Sequence, residues 1–536
     1  MSDPRTCGKE TQRPLDRALN WCGDRAASGR NVACIWGTVL LLIWLIRSFL
    51  FPGVGPDEAE QLIAAQNWEW GYGAGSPPLF TWLLIAAQHV LGVTTAAVTF
   101  VKFALLGGAY LFLYQAARHV LTDDRYAALA ALSPLAIYYA VWDASFQYSH
   151  SLTLVFSICA SFYCLLRLET RRDAWSYLWL GVAIGAGFLS KYNYILFLAA
   201  VAAALCADRS FRGALYNRRG AITVAVAAAT AAPHYYWLWL RRGNFTKHVQ
   251  GRFSAENADG ASFLGLLGAM DACLAVINFL MPLLAIYILL FPRALWRDGS
   301  RDIASARYRQ ILGRTFIIIF AATIAGALIF DVVRVRNHYM FLLILFPIYF
   351  LARVQAAQVS DHALNAFAAA VLAFSIIVPT CIAAKYAVDP YRKSKGYYNM
   401  PYDAFARQLR QAGFTRGTII GDWLGYPIAG NLRRSFEQSR VISILDWHFA
   451  LELGGLVWPI IPPRDKPTAG SCLLVWIPQP HKIRQDYMLS SANQLLGAGL
   501  PLDRDSTIIT AEMPPGTGRI ARLAYVLVPE GAGDCR

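Results

Sequence analysis

Between residues 53 and 92 the chain gathers residue types that can handle a sugar. Pro56-Asp57-Glu58-Ala59-Glu60 is followed by Trp68-Glu69-Trp70-Gly71-Tyr72, and then by Ser76-Pro77-Pro78-Leu79-Phe80-Thr81-Trp82. Carboxylates take hydroxyl protons, and aromatic faces cover the apolar faces of sugar rings. A Pro pair makes the segment rigid. The local pattern supports blander readings as well. Asp57 followed three residues later by Glu60 resembles a helix capping box, and any single Trp here also suits an anchor at a membrane–water boundary.

The elements that must position this loop follow from composition. Of 536 residues, 56% are apolar and 15% charged, and mean hydropathy is +0.38. A soluble domain is nearer 25% charged, so the chain is read as a polytopic membrane protein. Apolar runs of spanning length lie near 32–50, 96–117, 126–142, 151–167, 174–190, 193–207, 220–240, 262–291, 314–331, 339–353 and 363–384. Arg118 and Arg125, then Arg167, Arg171 and Arg172, then Arg209, Arg212, Arg218 and Arg219, then Arg293, Arg297, Arg301, Arg307 and Arg309 occupy alternate connections. That is the positive-inside pattern, and it accounts for most of the net charge of +15 without a nucleic-acid partner. The basic leader before Val32 places the N-terminus in the cytoplasm, and the odd number of spans places residues after about 385 outside it.

Beyond residue 390 the apolar runs shorten to Thr418–Ile420, Val441–Leu445, Cys472–Ile477, Ile508–Thr510 and Ala524–Val528. They alternate with helical patterns at Tyr402–Gln411 and Tyr487–Leu496, which predicts a small α/β domain. No C-x-x-C pair is present among the ten Cys. Cys472 and Cys535 are the pair available to a disulfide in an oxidising compartment. The expected architecture is an all-α membrane domain of about eleven transmembrane helices over residues 32–388, with its first outward loop at 51–95. A cytoplasmic segment (1–31) precedes it, and an extracytoplasmic α/β domain (389–536) follows.

P-D-E-A, then W-x-W-G-Y, then P-P-L-x-x-W-L-L, directly after the first span, resembles the first outward loop of GT-C glycosyltransferases. That group includes protein O-mannosyltransferases and the bacterial aminoarabinose transferases acting on lipid A. The segment Gly181–Tyr192, Pro233-His234-Tyr235-Tyr236-Trp237, Arg336-Asn337-His338-Tyr339, Gly417-Thr418-Ile419-Ile420 and Asn431-Leu432-Arg433 extend the likeness over nearly the whole chain. The resemblance implies inverting transfer of a sugar from a polyprenyl (undecaprenyl-type) phosphate on the extracytoplasmic face of a bacterial inner membrane. The acceptor would be an envelope glycolipid such as lipid A or lipopolysaccharide core.

Asp57 matches the family's essential acidic position and is assigned as the base, with Glu58 and Asp143 as further catalytic candidates. Trp68, Trp70, Tyr72 and Tyr192 are candidates for sugar or acceptor contact. For the donor phosphate, the outward cations are Lys191, the cluster Arg241, Arg242, Lys247 and Arg252, and the cluster Arg334, Arg336 and His338. Each retains the alternative of a solvated or snorkelling charge. Lys102 is a weaker candidate. His150 stands where the family often has an Asp, and is read as structural in preference to catalytic.

At Gly75-Ser76-Pro77 the acidic and basic residues of the family motif are missing. No metal site and no cofactor is therefore expected. A protein acceptor, an oligosaccharide ligase, and a transporter or flippase of lipid-linked sugar are the competing functions. The lack of internal repeats and the clustering of ionisable residues at one rim argue against the transporter.

Overall fold

The computed structural model describes residues 14–531 apart from 27, 73–75, 241, 243–263, 297–302, 333–334, 393–395, 422–425, 444–469, 479–482, 497–498, 500–504 and 514–515. Helices dominate the first 390 residues. Five of those described are long and apolar enough to cross a bilayer unaided: Gly29–Phe49, Thr95–Val120, His150–Thr170, Ala306–Phe330 and Asp361–Tyr391. Leu79–Leu91, Ala174–Phe188, Tyr194–Cys206, Leu264–Leu280 and Met340–Ala356 are apolar but shorter, and Gly220–Leu240 is a further 21-residue apolar helix.

Three of the expected spans are broken instead of continuous: 339–353 divides at the 3-10 turn Met340–Leu343 before helix Phe346–Ala356, and the other two break at prolines. The run at 126–142 divides into Asp124–Leu132, a 3-10 turn Ser133–Ala136 and a short helix Tyr138–Val141. The run at 262–291 divides into Leu264–Leu280 and Leu283–Leu290. Proline explains both, because Pro134 and Pro282 lack the N–H that would continue a helix. The two breaks meet: Ile137 bridges Pro282, and the Tyr138 N–H donates to the Met281 carbonyl at 3.2 Å. Backbone groups released by one break are satisfied by the other, which an apolar surrounding requires.

Close packing holds elsewhere, as the spacing of Gly181 and Gly185 in one helix predicts. A Cβ on Gly185 would lie 2.6 Å from the Thr230 side chain, and one on Gly181 would lie 2.8 Å from the Thr223 carbonyl oxygen. Helix Ala174–Phe188 thus lies against Gly220–Leu240 with no room for larger residues.

The C-terminal part forms a five-stranded sheet of β1 (Gly417–Gly421), β2 (Arg440–Ser443), β3 (Ser471–Trp476), β4 (Thr507–Met513) and β5 (Arg519–Val528). Their order is β2-β1-β3-β5-β4, parallel across β2-β1-β3 and antiparallel across β3-β5-β4. Every strand and both helices expected from the sequence are present. Period-two alternation gives the sheet two buried faces. Ile420, Leu474 and Val526 pack with Met488 and Leu489 of helix Ile483–Leu496. Ile419, Leu473 and Leu523 pack with Phe405 and Leu409 of Tyr402–Gln411 and with Ile428 and Leu432 of Tyr426–Arg433. Ile63 and Ala64, from the first outward loop, belong to that second cluster.

Candidate active site

The first outward loop opens with a short helix, Pro56–Ala64. Its cap is Gly55, and Glu58 at the third helical position reaches back to accept the Gly55 N–H at 3.0 Å. The capping box proposed for Asp57 and Glu60 is therefore not the one that forms, and Asp57 has no capping duty. Consecutive residues on a helix point about 100° apart. Asp57 accordingly faces solvent while Glu58 is fully buried.

Glu58 has cations on both carboxylate oxygens. Lys102 Nζ lies 2.7 Å from one and Arg47 Nη2 lies 2.9 Å from the other, and all three side chains are fully buried. Burial alone would push this carboxyl up, but Lys102 and Arg47, with hydrogen bonds from Lys102 and Gly55, hold it below its ordinary 4.5. Arg47 does more than balance charge. Its Nε donates to the Ser145 carbonyl at 3.0 Å, and its guanidinium is boxed by the rings of Phe51, Phe146 and Tyr398 at 4.8–5.0 Å. One side chain thereby joins the opening span, the second outward loop and the chain leaving the last span. Sequence reading missed Arg47. A cation inside the apolar run 32–50, near its outer end, was the available signal.

The Asp57 carboxylate accepts the backbone N–H of Tyr148 at 3.1 Å. Tyr148 has φ of 61°, in the left-handed region, which a bulky residue occupies at a cost of about 1–2 kcal/mol. That turn aims its N–H at Asp57. Asp143, in the adjoining 3-10 turn Asp143–Ser145, is buried and accepts from Gln147 Nε2 at 3.1 Å. Burial pushes the Asp143 carboxyl up, opposed by a Tyr148 hydrogen bond and Lys102, and the neighbouring Asp57 charge adds to the rise. Asp57, Glu58 and Asp143 thus form one group.

Around it, polar contacts fasten the rest of the loop. Thr81 donates to Gln61 Oε1 at 2.7 Å, and Gln61 Nε2 meets His150 Nε2 at 3.0 Å. Lys191 Nζ donates to Ser151 Oγ at 3.1 Å, so this cation stands beside His150. The Trp70 carbonyl can only accept, so His234 Nδ1 at 2.9 Å carries the proton, leaving Nε2 to take the Tyr192 hydroxyl at 3.3 Å. Trp68 stacks on Trp82 with centroids 5.5 Å apart, and Trp70 meets it edge-on at 6.0 Å. Trp68 and Trp70 remain half exposed.

The C-terminal domain grips the same loop from above. Buried Asn431 accepts the Val54 N–H at 2.9 Å and returns a bond to the Val54 carbonyl at 3.1 Å. The Gln66 side chain makes both backbone contacts to Val441 in β2, at 2.8 and 2.9 Å. Arg433 donates to the carbonyls of Leu62 and Ala65 at the end of the Asp57 helix, and burial pushes its guanidinium down to about 10, still charged at neutral pH. Gly430 lets helix Tyr426–Arg433 approach so closely that a Cβ would lie 2.4 Å from the Ala59 carbonyl oxygen.

Comparison with known proteins adds relatives and a fold. Residues 75–237 match the dolichyl-phosphate-mannose-protein mannosyltransferase family. The lipopolysaccharide core galacturonosyltransferases RgtB and RgtA of Rhizobium johnstonii are each 28% identical over 72% of this chain, covering 77% and 76% of their own lengths. The crystal structure of ArnT from Cupriavidus metallidurans, bound to undecaprenyl phosphate, superposes with a TM-score of 0.61 at 14% identity, over 93% of this chain and 98% of that one. The chain is a membrane glycosyltransferase with the GT-C fold.

Within the transferase, the expected residues fare unequally. Asp57, Glu58 and Asp143 come together, with Glu58 enclosed and Asp57 open. Tyr72 lies in the loop, but its hydroxyl is spent within it, donating to the Asn67 carbonyl at 2.8 Å and accepting the Glu69 N–H at 2.9 Å. Arg336 departs from expectation: its guanidinium and backbone N–H all bind Asp271, which clamps it to helix Leu264–Leu280. Arg242 is exposed, donates to the Trp239 carbonyl at 3.3 Å and lies over its ring. Arg241, Lys247, Arg252 and Arg334 lie outside the described residues, as does the His338 side chain. Among the described residues no three His, Cys, Asp or Glu side chains converge as a metal site. Cys472 is disulfide-bonded, and Cys535 lies outside the described residues.

Substitutions at the buried contacts have measurable consequences. Lys102→Ala strands the buried Glu58 charge and should cost about 3–5 kcal/mol of stability, read by thermal unfolding in detergent. Because the Glu58 carboxyl is held below 4.5, its stabilisation is complete above that pH and is lost as pH falls through the lower folded value. Glu58→Gln should flatten the unfolding temperature between neutral pH and pH about 3, and an unchanged slope would assign acid sensitivity elsewhere. Asn431→Ala leaves both Val54 backbone groups unpaired, at about 1–3 kcal/mol. It should reduce transfer rate along with unfolding temperature, and full activity in this variant would make the domain contact incidental.

Proposed function

We propose that this transferase moves a sugar from an undecaprenyl-type polyprenyl phosphate to a lipopolysaccharide acceptor at the extracytoplasmic membrane face, with inversion. The observation that carries the reading is the division of labour between neighbouring carboxylates. Glu58 is buried and neutralised, whereas Asp57 is open to solvent and aimed by the Tyr148 N–H.

In this reading the acceptor hydroxyl attacks the anomeric carbon as the bond to the phosphate oxygen breaks. Asp57 takes the hydroxyl proton, and the polyprenyl phosphate leaves with the bonding electrons. A phosphate is already a competent leaving group, so the developing charge needs cations more than it needs an acid. We assign that role to Lys191, which donates to Ser151, with Arg241, Arg242, Lys247, Arg252, Arg334 and His338 as further contributors. Asp143, buried and raised, orients the second loop around Asp57, and Trp68 and Trp70 offer faces to a sugar ring.

The names of the relatives support lipopolysaccharide core as acceptor and galacturonic acid as the transferred sugar. The basic alternate connections support a cytoplasmic N-terminus, and the disulfide at Cys472 supports a periplasmic C-terminal domain. The family description, which names a protein mannosyltransferase, makes a protein acceptor the second reading.

Purified enzyme, a radiolabelled undecaprenyl phosphate sugar, and either lipopolysaccharide or envelope protein distinguish the two. Label should enter the lipopolysaccharide. Asp57→Asn should lose about 10²–10⁴-fold in kcat, the range for removal of a general base, with an unchanged unfolding temperature. If the Asp57→Asn enzyme retained roughly a tenth or more of parental kcat, by comparison with that range, the base would lie elsewhere. Label found in protein alone would replace the acceptor.

A further inference from the structure

Backbone strain and the carboxylates coincide at Tyr148. Among the described residues three other than glycine have positive φ: Tyr148 at 61°, Asp331 at 50° and Gln358 at 49°. Asp331 and Gln358 fall within two residues of the ends of helices Ala306–Phe330 and Phe346–Ala356, where a left-handed residue is a common cap. Tyr148 has no such position. It lies between the 3-10 turn Asp143–Ser145 and the helix that starts at His150. Glycine fits a left-handed site of this kind without steric cost, and a bulky aromatic residue does not. Strain kept at such a place has a local reason.

The side chain supplies part of that reason. Its ring stands edge-on to Phe341, with centroids 4.9 Å apart, and buried Phe341 rests in turn on Phe279. Its hydroxyl hydrogen-bonds the Asp143 carboxylate. Glycine would make neither contact.

The backbone supplies the rest. The φ of a residue sets the direction in which the chain continues relative to that residue's own N–H. At 61° the Tyr148 N–H reaches the Asp57 carboxylate at 3.1 Å, and the chain turns so that the next residue meets Asp57 as well. Ser149 Oγ donates to the Asp57 carbonyl at 3.4 Å. Two successive residues therefore hold Asp57 by its side chain and by its backbone. Phe341 belongs to the 3-10 turn Met340–Leu343, which continues directly from the helical turn Arg336–Tyr339. Through its ring, Tyr148 fixes Asp57 relative to that segment.

We propose that Tyr148 is a positioning residue for transfer: its ring and hydroxyl hold the left-handed turn, and the turn holds the Asp57 carboxylate at one angle to segment 336–343. The inference rests on the assignment of Asp57 as the base. Tyr148→Gly removes ring and hydroxyl while accepting the positive φ, and Tyr148→Phe removes the hydroxyl alone. Both are compared with the parent in the radiolabelled transfer assay and by thermal unfolding in detergent.

Tyr148→Gly should lower kcat about tenfold or more, within the ~10²-fold that a misplaced reacting group can cost, with donor and acceptor KM held within about twofold. Its unfolding temperature should be retained, because relief of the left-handed cost offsets the lost contacts. Tyr148→Phe keeps the ring and should recover part of the rate. In the Asp57→Asn enzyme, Tyr148→Gly should cost nothing further, since no base is left to position. Equal losses on the parental and Asp57→Asn backgrounds overturn the inference, as does a loss confined to KM or matched by a fall in unfolding temperature. So does a Tyr148→Phe rate no higher than that of Tyr148→Gly, because the ring would then hold nothing. Parental kcat in Tyr148→Gly beside an inactive Asp57→Asn overturns the inference alone, whereas parental kcat in Asp57→Asn overturns the base assignment and the inference with it.

Discussion

One end of this membrane domain depends on one buried carboxylate held between two buried cations. Removed from water singly, Glu58, Arg47 or Lys102 would each carry a desolvation cost of several kcal/mol. Together they offset one another, at 2.9 and 2.7 Å. The three come from the loop helix, the opening span and the span Thr95–Val120, so this helix can occupy a single position against the bundle. Arg47 then carries the constraint outward through Ser145 to the second loop and through Tyr398 to the segment entering the C-terminal domain.

The C-terminal domain completes that constraint from the opposite side. Ile63 and Ala64 are buried in its core cluster, so the helix bearing Asp57 is shared between membrane bundle and soluble domain. Its N-terminal turn is set by ions and its C-terminal turn by Arg433, Gly430 and the apolar contact. This accounts for a soluble domain in an enzyme whose carboxylates lie in the first loop: the domain supplies a rigid surface against which a short helix of nine residues can be ordered.

The sequence was most legible where local pattern and tertiary environment agree. Cys472–Ile477 and Ala524–Val528 read as strands because alternation and length suffice, and Gly181 with Gly185 read as close packing because nothing larger would fit. Legibility failed where a distant partner decides. Asp57 with Glu60 has the spacing of a capping box, but Glu58 reaches Gly55 instead because Arg47 and Lys102, 11 and 44 residues away, draw its carboxylate inward. Arg336 read as an available outward cation because Asp271, 65 residues earlier, gives no local sign of being its partner. The run 126–142 has the hydropathy of a span, and only Pro134 marks the break that the partner break at Pro282 makes tolerable.

Neighbouring carboxylates with opposite fates also bear on why a membrane surface can host this chemistry. A lone exposed acid on a mobile loop would sample many orientations, and a buried one would hold its charge only when paired. Placing Glu58 inward fixes the helix rotation, and that rotation turns Asp57 outward to meet the Tyr148 N–H at 3.1 Å. The strained Tyr148 backbone is sustained because its neighbours Ser145 and Phe146 are already anchored to Arg47 and Tyr398. Orientation of the open acid is therefore derived from the closed one: Glu58 turned inward leaves the Asp57 side chain facing water with the Tyr148 N–H on one oxygen.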